Sequence, residues 1–232
     1  EGSTEEGARG RPFSWAGGHG ALAVPGDRGI LSRRPPPPRT TVTPDAFARA
    51  LAAGPDGPRV VVVGTSGSGK TTFARTLAAR LALRHVELDA LHWAPAWTER
   101  PDPEFRALVR DAVAAPAWVA DGNYEVVRDL VWGRATVLVW LDYSFPLTFW
   151  RATHRTFRRA LTREELFSGN VERLRPFDPE WIPWWVIRTW RGKRRRYPEL
   201  LRRPEHAHLQ VARLRRPRDA EALLEALAQR GD

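Results

Sequence analysis

From residue 59 onward, short apolar runs alternate with stretches whose apolar positions recur every three or four residues. RVVVVG (59–64) is a β-branched run of the kind buried on both faces of a parallel sheet. KTTFARTLAARLAL (70–83) follows, with Phe73, Leu77 and Leu81 along one side of a helix. HVELD (85–89) predicts a second short strand, PEFRALVRDAVA (103–114) a helix, AWVAD (117–121) a third strand and TVLVWLD (136–142) a fourth. A helix is expected over about 146–161, a fifth strand at HLQVARL (208–214), and an amphipathic helix in DAEALLEALAQR. Strands alternating with helices imply βαβ units, a parallel sheet and a doubly wound α/β domain.

Before residue 59 the rhythm is lost. Residues 1–40 are rich in Gly, Pro and Arg, include the run Pro35–Pro38, and offer little apolar surface to offset ordering entropy. PDAFARALAA (44–53) predicts a short helix stopped by Gly54-Pro55. The expected division is a disordered extension over 1–57 and one domain over 58–232. The chain begins at Glu1 rather than methionine, so whether 1–57 belongs to the working protein stays open at this point.

Composition changes the picture in three ways. The 232 residues can hold one sizeable core, and no apolar run approaches the ~18 residues a membrane-spanning helix needs. No secretory signal pattern opens the chain, and the absence of cysteine excludes disulfides, thiolate metal sites and cysteine nucleophiles. A cytoplasmic setting is expected. Finally, the net charge of +10 is uneven, with nineteen cations against seven anions in residues 143–218. Arginine outnumbers lysine thirty-five to two, so arginine alone says little, while Lys70 and Lys193 stand out.

Residues 64–71 read GTSGSGKT, which matches G-x-x-x-x-G-K-[ST] at every fixed position. Gly64, Gly67 and Gly69 let the backbone bend so that N–H groups point at phosphate oxygens, and the following helix adds its positive end. Thr65, Ser66, Ser68 and Thr72 complete the candidate nucleotide-binding loop. Lys70 is expected to reach the β- and γ-phosphates of ATP, and Thr71 to offer its hydroxyl to Mg²⁺. The motif implies binding of a nucleoside triphosphate without saying what becomes of the phosphate.

Three predicted strands end in an acid: Asp89, Asp121 and Asp142. Ligands of such sheets bind outside the carboxyl ends of the strands, near the switch point. The third strand is expected beside the loop's own strand, which makes Asp121 the candidate for the magnesium shell, alongside Thr71. Asp142 is expected one strand further off, without a catalytic role. Asp89 is the candidate that accepts a proton from an acceptor hydroxyl. His92 follows as lining of the acceptor pocket.

Together these stretches resemble a known group. GTSGSGKTT, LDALHW (88–93), WVADGNY (118–124) and SGNVER (168–173) look like the adenylate-kinase-related P-loop proteins known as topology-modulation proteins. The resemblance covers about residues 58–228. It implies a three-layer P-loop NTPase fold like that of nucleoside monophosphate kinases, with a five-stranded parallel sheet and a helical lid insertion over about 162–203. It also implies ATP and Mg²⁺. Adenylate kinase proper is similar in the D-G pair after the third strand but continues with Pro-Arg, whose arginine holds the acceptor phosphate. Here Asn123-Tyr124 follow, with Arg128 one turn later, which speaks against AMP.

The helix over 146–161 leads into that lid. Arg151 and Arg155, four residues apart with Arg159 beyond, are the candidate catalytic cations on one face, and Arg155 is also a candidate for holding ATP. Trp181, Trp184 and Trp185 are expected to pack a small core of the lid, with Arg194–Arg196 on a solvated face. Arg216, after the fifth strand, is the candidate beside the purine base. The expected activity is transfer of the ATP γ-phosphoryl group to a nucleotide or small-molecule acceptor. The alternative is a nucleic-acid-binding ATPase or regulator that uses the Trp/Arg-rich segment. No DNA-reading motif supports it, and prolines at 176, 179 and 183 argue against a long membrane-surface helix.

Overall fold

The run RVVVVG has no polar face to offer water, so its strand must be covered on both sides. The computed structural model, which describes residues 43–52, 56–172, 174 and 181–229, shows how. In chain order the elements are α1 (Pro44–Ala52), β1 (Arg59–Gly64), α2 (Lys70–Arg80), β2 (His85–Glu87), α3 (Leu88–His92), β3 (Trp93–Ala94) and β4 (Thr98–Glu99). Then come α4 (Asp102–Ala112), β5 (Trp118–Asp121), α5 (Arg128–Arg134), β6 (Val137–Leu141), α6 (Phe145–Thr162), α7 (Ile182–Leu200), β7 (Gln210–Leu214) and α8 (Pro217–Ala228). Five strands form one parallel sheet in the order β2-β5-β1-β6-β7, and β3 and β4 make a small antiparallel hairpin.

Alternation along the strands divides the core. Val61, Val63, Trp118, Ala120, Leu138 and Trp140 face one layer with Phe105 and Val109 of α4, Val131 of α5, and Tyr197 and Leu200 of α7. Val60, Val62, Val119, Val137 and Val139 face the other with Phe73 and Leu77 of α2 and Leu223 of α8. Each fully buried side chain of this kind contributes about 1.5–3 kcal/mol relative to exposure. The result is the three-layer α/β fold. Phe47 and Leu51 bring α1 into the second layer, so residues 44–52, placed outside the domain by a boundary at 58, pack within it. The disorder expected for residues 1–40 lies outside the described residues.

The structure corrects other expectations. β2 stops at Glu87, where β5, its one partner strand among the described residues, ends at Asp121 opposite Glu87. Asp89 therefore lies in the first turn of α3, not at a strand end. β6 pairs directly with β1 on the side opposite β5, rather than one strand further off. The Trp/Arg-rich stretch is largely one helix, α7, in which Pro183 sits in the first turn, where its missing N–H costs nothing. The prolines at 176 and 179 lie outside the described residues. Among the described residues no helix is long and apolar enough to cross a membrane.

Candidate phosphate and acceptor site

The turn between β1 and α2 closes with a hydrogen bond from Ser68 N to Thr65 O at 3.0 Å. Gly67 has φ +82°, and a Cβ there would lie 2.2 Å from the carbonyl oxygen of Thr148, so only glycine lets the loop rest on α6. Gly69, at φ +86° and ψ 24°, heads α2 without a side-chain cap. The first-turn N–H groups are thus left for an anion, and the helix dipole favours one there. Ser68 Oγ is buried with no hydrogen-bond partner among the described residues. Thr65 is buried, Ser66 half-buried and Thr72 exposed. Lys70 opens α2 half-buried; burial lowers its pKa, against the pull of Asp89 and Asp121, while the Arg155 charge lowers it further.

Behind the loop, Thr71 Oγ1 donates to Asp121 Oδ2 at 2.7 Å, and His85 Nε2 lies 2.8 Å from Asp121 Oδ1. Asp121 is buried at the end of β5, where the register sets it beside Val62. Because Thr71 commits its hydrogen to Asp121, the lone pairs of Oγ1 are left for a cation. Among the described residues no cluster of three or more His, Asp or Glu forms a self-sufficient metal cage. A cation here would share its shell with phosphate oxygens.

Asp89, in α3, accepts a hydrogen bond from Tyr124 Oη at 2.8 Å, and its charge acts on Lys70. Burial first, then the Asp89 charge, pushes the Tyr124 phenol well up, so it remains a donor. Glu87, two residues before Asp89 at the end of β2, is pushed up by burial, Asp121 and Asp89. His92 is buried between Trp93, Phe105 and Tyr124, with ring centroids 4.4–4.9 Å away. Burial lowers its pKa and its Nδ1 has no partner, so it serves as a wall. A cavity beside it is lined by Leu88, Asn123, Tyr124, Arg128, Trp132 and Tyr197, among others.

The two candidate arginines of α6 separate. Arg155 turns inward: its Nε is buried without a partner and its charge acts on Lys70. Arg151 is exposed, with its guanidinium 6.0 Å from the Tyr143 ring. Each four-residue step rotates about 40° around a helix, so the two are offset on α6. Arg216 is exposed at the N-terminus of α8, where its N–H donates to Asp219 Oδ2 at 3.0 Å. It lies on the same carboxyl edge of the sheet as the loop but two strands away.

Other residues come to the site that the motifs did not name as such. Asn123 clamps the start of the loop: its Oδ1 accepts from Gly64 N at 3.3 Å and its Nδ2 donates to Gly64 O. Tyr197 Oη of α7 donates to the same Oδ1 at 2.8 Å. Lys193 lies one turn before Tyr197, and the charges of Lys70 and Asp89 act on it. Its rarity was the one signal in the sequence. Of the α7 arginines expected on a solvated face, Arg195 and Arg196 are exposed, Arg196 pairing with Glu125, while Arg194 is half-buried with its Nε 3.0 Å from Asp142 Oδ1. Arg213 Nε of β7 donates to Asp142 Oδ2 at 2.8 Å. Of the expected small core, Trp181 packs on Phe157 at 5.8 Å, while Trp184 is exposed.

Three marks singled out by spacing meet in space. Asn170 Oδ1 accepts from Trp97 N at 2.7 Å and its Nδ2 donates to Ala94 O at 2.9 Å. Ser168 Oγ donates to Trp93 O at 2.9 Å, and Trp97 Nε1 to Val171 O at 3.1 Å. The G-N-x-E element is thereby fastened onto the β3–β4 hairpin that continues LDALHW. Ala96 and Trp97, at the hairpin tip, hold left-handed backbone with φ +58° and +54°. Glu172 then turns back, accepting from Thr156 Oγ1 at 2.9 Å.

No family model matches the chain. Shikimate kinase from Nitrobacter winogradskyi is 30% identical over 153 residues, covering 58% of this chain and 71% of its own length. The uncharacterized protein YqaC from Bacillus subtilis is 29% identical over 107 residues, covering 42% of this chain and 56% of its own length. The solved structure of shikimate kinase from Acinetobacter baumannii in complex with shikimate is 17% identical with a TM-score of 0.45, covering 74% of this chain and 91% of that chain. With its phosphate loop, parallel sheet and curated relative, the chain belongs to the family of ATP-dependent P-loop kinases that includes shikimate kinase.

Proposed function

We propose that the protein transfers the γ-phosphoryl group of ATP to a hydroxyl of a small-molecule acceptor. The observation that carries this is Asp89, a carboxylate held by Tyr124 whose charge acts on Lys70. A carboxylate there suits a hydroxyl, whose proton it can take, and repels an acceptor that offers a phosphate oxygen. The acceptor oxygen forms the new bond to Pγ, the bond from Pγ to the bridging oxygen breaks, Asp89 takes the hydroxyl proton, and ADP leaves.

The loop N–H groups, Lys70 and Arg155 would hold the phosphates and the charge that develops on them. Thr71 would ligate Mg²⁺, with Asp121 orienting it from behind. Bound Mg²⁺ would neutralise phosphate charge. The marks LDALHW, DGNY and GNVE support a place near the topology-modulation-like members of this kinase class, and a dependence on ATP agrees with a cytoplasmic setting. Arg158, Arg159, Arg194 and Arg196 each pair with an acid, which weakens the nucleic-acid alternative.

The test is a screen of hydroxylated small molecules with γ-labelled ATP. At least one acceptor should outpace water, and Lys70→Ala should abolish that transfer. Transfer only to water, untouched by Lys70→Ala, rules the reading out.

A further inference from the structure

α7 is pinned to the loop at two levels. Tyr197 reaches Gly64 through Asn123, and Trp190 Nε1 donates to the Tyr143 carbonyl at 3.2 Å. Arg194 adds its pair with Asp142. Lys193 lies between these anchors on a helix that the phosphate motif does not include. The Trp185 ring covers its ammonium at 5.8 Å to the centroid. The charges that act on it are Lys70 of α2 and Asp89 of α3, and the Arg155 charge of α6 acts on the same two groups.

Three cations thus act on one carboxylate. Two half-buried ammonium groups that act on each other repel, and Asp89 alone cannot offset both. An anion between them would, and the phosphate loop brings one to that place. We propose that Lys193 is a catalytic residue that enters from α7 and binds the terminal phosphoryl group of ATP opposite Lys70. This deepens the kinase reading above and rests on it for the identity of the nucleotide. Burial and the Lys70 charge lower its pKa to about 7, against the pull of Asp89. The protein without nucleotide therefore begins to lose this positive charge as pH rises through about 7, and affinity for the terminal phosphoryl falls with it.

The test uses MgATP and MgADP binding to the full chain by calorimetry between pH 6 and 9, with no acceptor present. Its outcome is therefore independent of whether the acceptor assignment holds. Lys193→Ala should weaken MgATP roughly tenfold at pH 6.5 while changing MgADP less than twofold, as expected for one lost charge-assisted contact. Lys193→Arg should keep MgATP affinity within about threefold and remove the inflection above pH 7, because guanidinium stays charged. Should Lys193→Ala fail to fold, the pH profile of Lys193→Arg still decides. The proposal is overturned if Lys193→Ala binds MgATP like the wild type or loses both nucleotides alike. It is equally overturned if Lys193→Arg keeps the wild-type inflection.

Discussion

Asp89 shows how far single residues were legible. Its place at the end of an apolar run pointed to the acceptor side, and its charge acts on Lys70. Its hydrogen bond from Tyr124 was not foreseeable, because it depends on α3 turning back over the residues after β5. Asp89→Asn should lower kcat about 10²–10⁴-fold, read by steady-state kinetics, since proton removal is lost. The glycines and Lys70 were readable because the phosphate motif constrains backbone and charge together. Lys193 was not, since its relevance arises from where α7 lies. Its titration has a sign that stability measurements can check. The folded value, about 7, is below the ordinary 10.5, so the unfolded chain binds more protons between those pH values. Stability without nucleotide should rise with pH across that window. Lys193→Met should stabilise the protein at pH 6 by on the order of 1–3 kcal/mol and have little such effect above pH 10, by denaturant melts.

At the scale of elements, the sheet and α2 were legible because β-branched runs and helical spacing act locally. α7 was not. Its buried positions, Pro183, Val186, Tyr197 and Leu200, are spread over nineteen residues and meet different neighbours at each end. Its fixation comes from Asp142, a strand-end acid expected to play no catalytic part. That acid is spoken for by Arg194 and Arg213, while the Arg213 guanidinium also covers Trp140 at 4.2 Å. Asp142→Asn leaves two arginines without their carboxylate at a buried site. The expected cost is roughly 3 kcal/mol in urea unfolding, because removing one partner of a buried pair exposes the desolvation penalty of the other.

For the molecule as a whole, net charge misleads unless pairing is counted. The excess in residues 143–218 suggested a polyanion surface, yet several of those arginines fasten α6 and α7 to acids. Duplex DNA should therefore bind only weakly and non-specifically, with MgATP leaving that affinity unchanged, as a salt titration of fluorescence anisotropy would reveal. MgATP itself should raise the melting temperature, since a ligand at a hundred times its Kd adds about 2.7 kcal/mol.

The hairpin tip has one more consequence. Left-handed backbone costs an L-residue about 1–2 kcal/mol, and Ala96 and Trp97 adopt it in succession. The hydrogen bonds from Ser168, Asn170 and Trp97 hold that turn in shape. The tip is thus a cocked spring with the G-N-x-E segment as its catch. Asn170→Ala should let it relax and raise the KM of the acceptor more than that of ATP. Ala96→Gly, which removes much of the tension, should make the same Asn170→Ala change less costly, a non-additivity that a double-mutant cycle would measure.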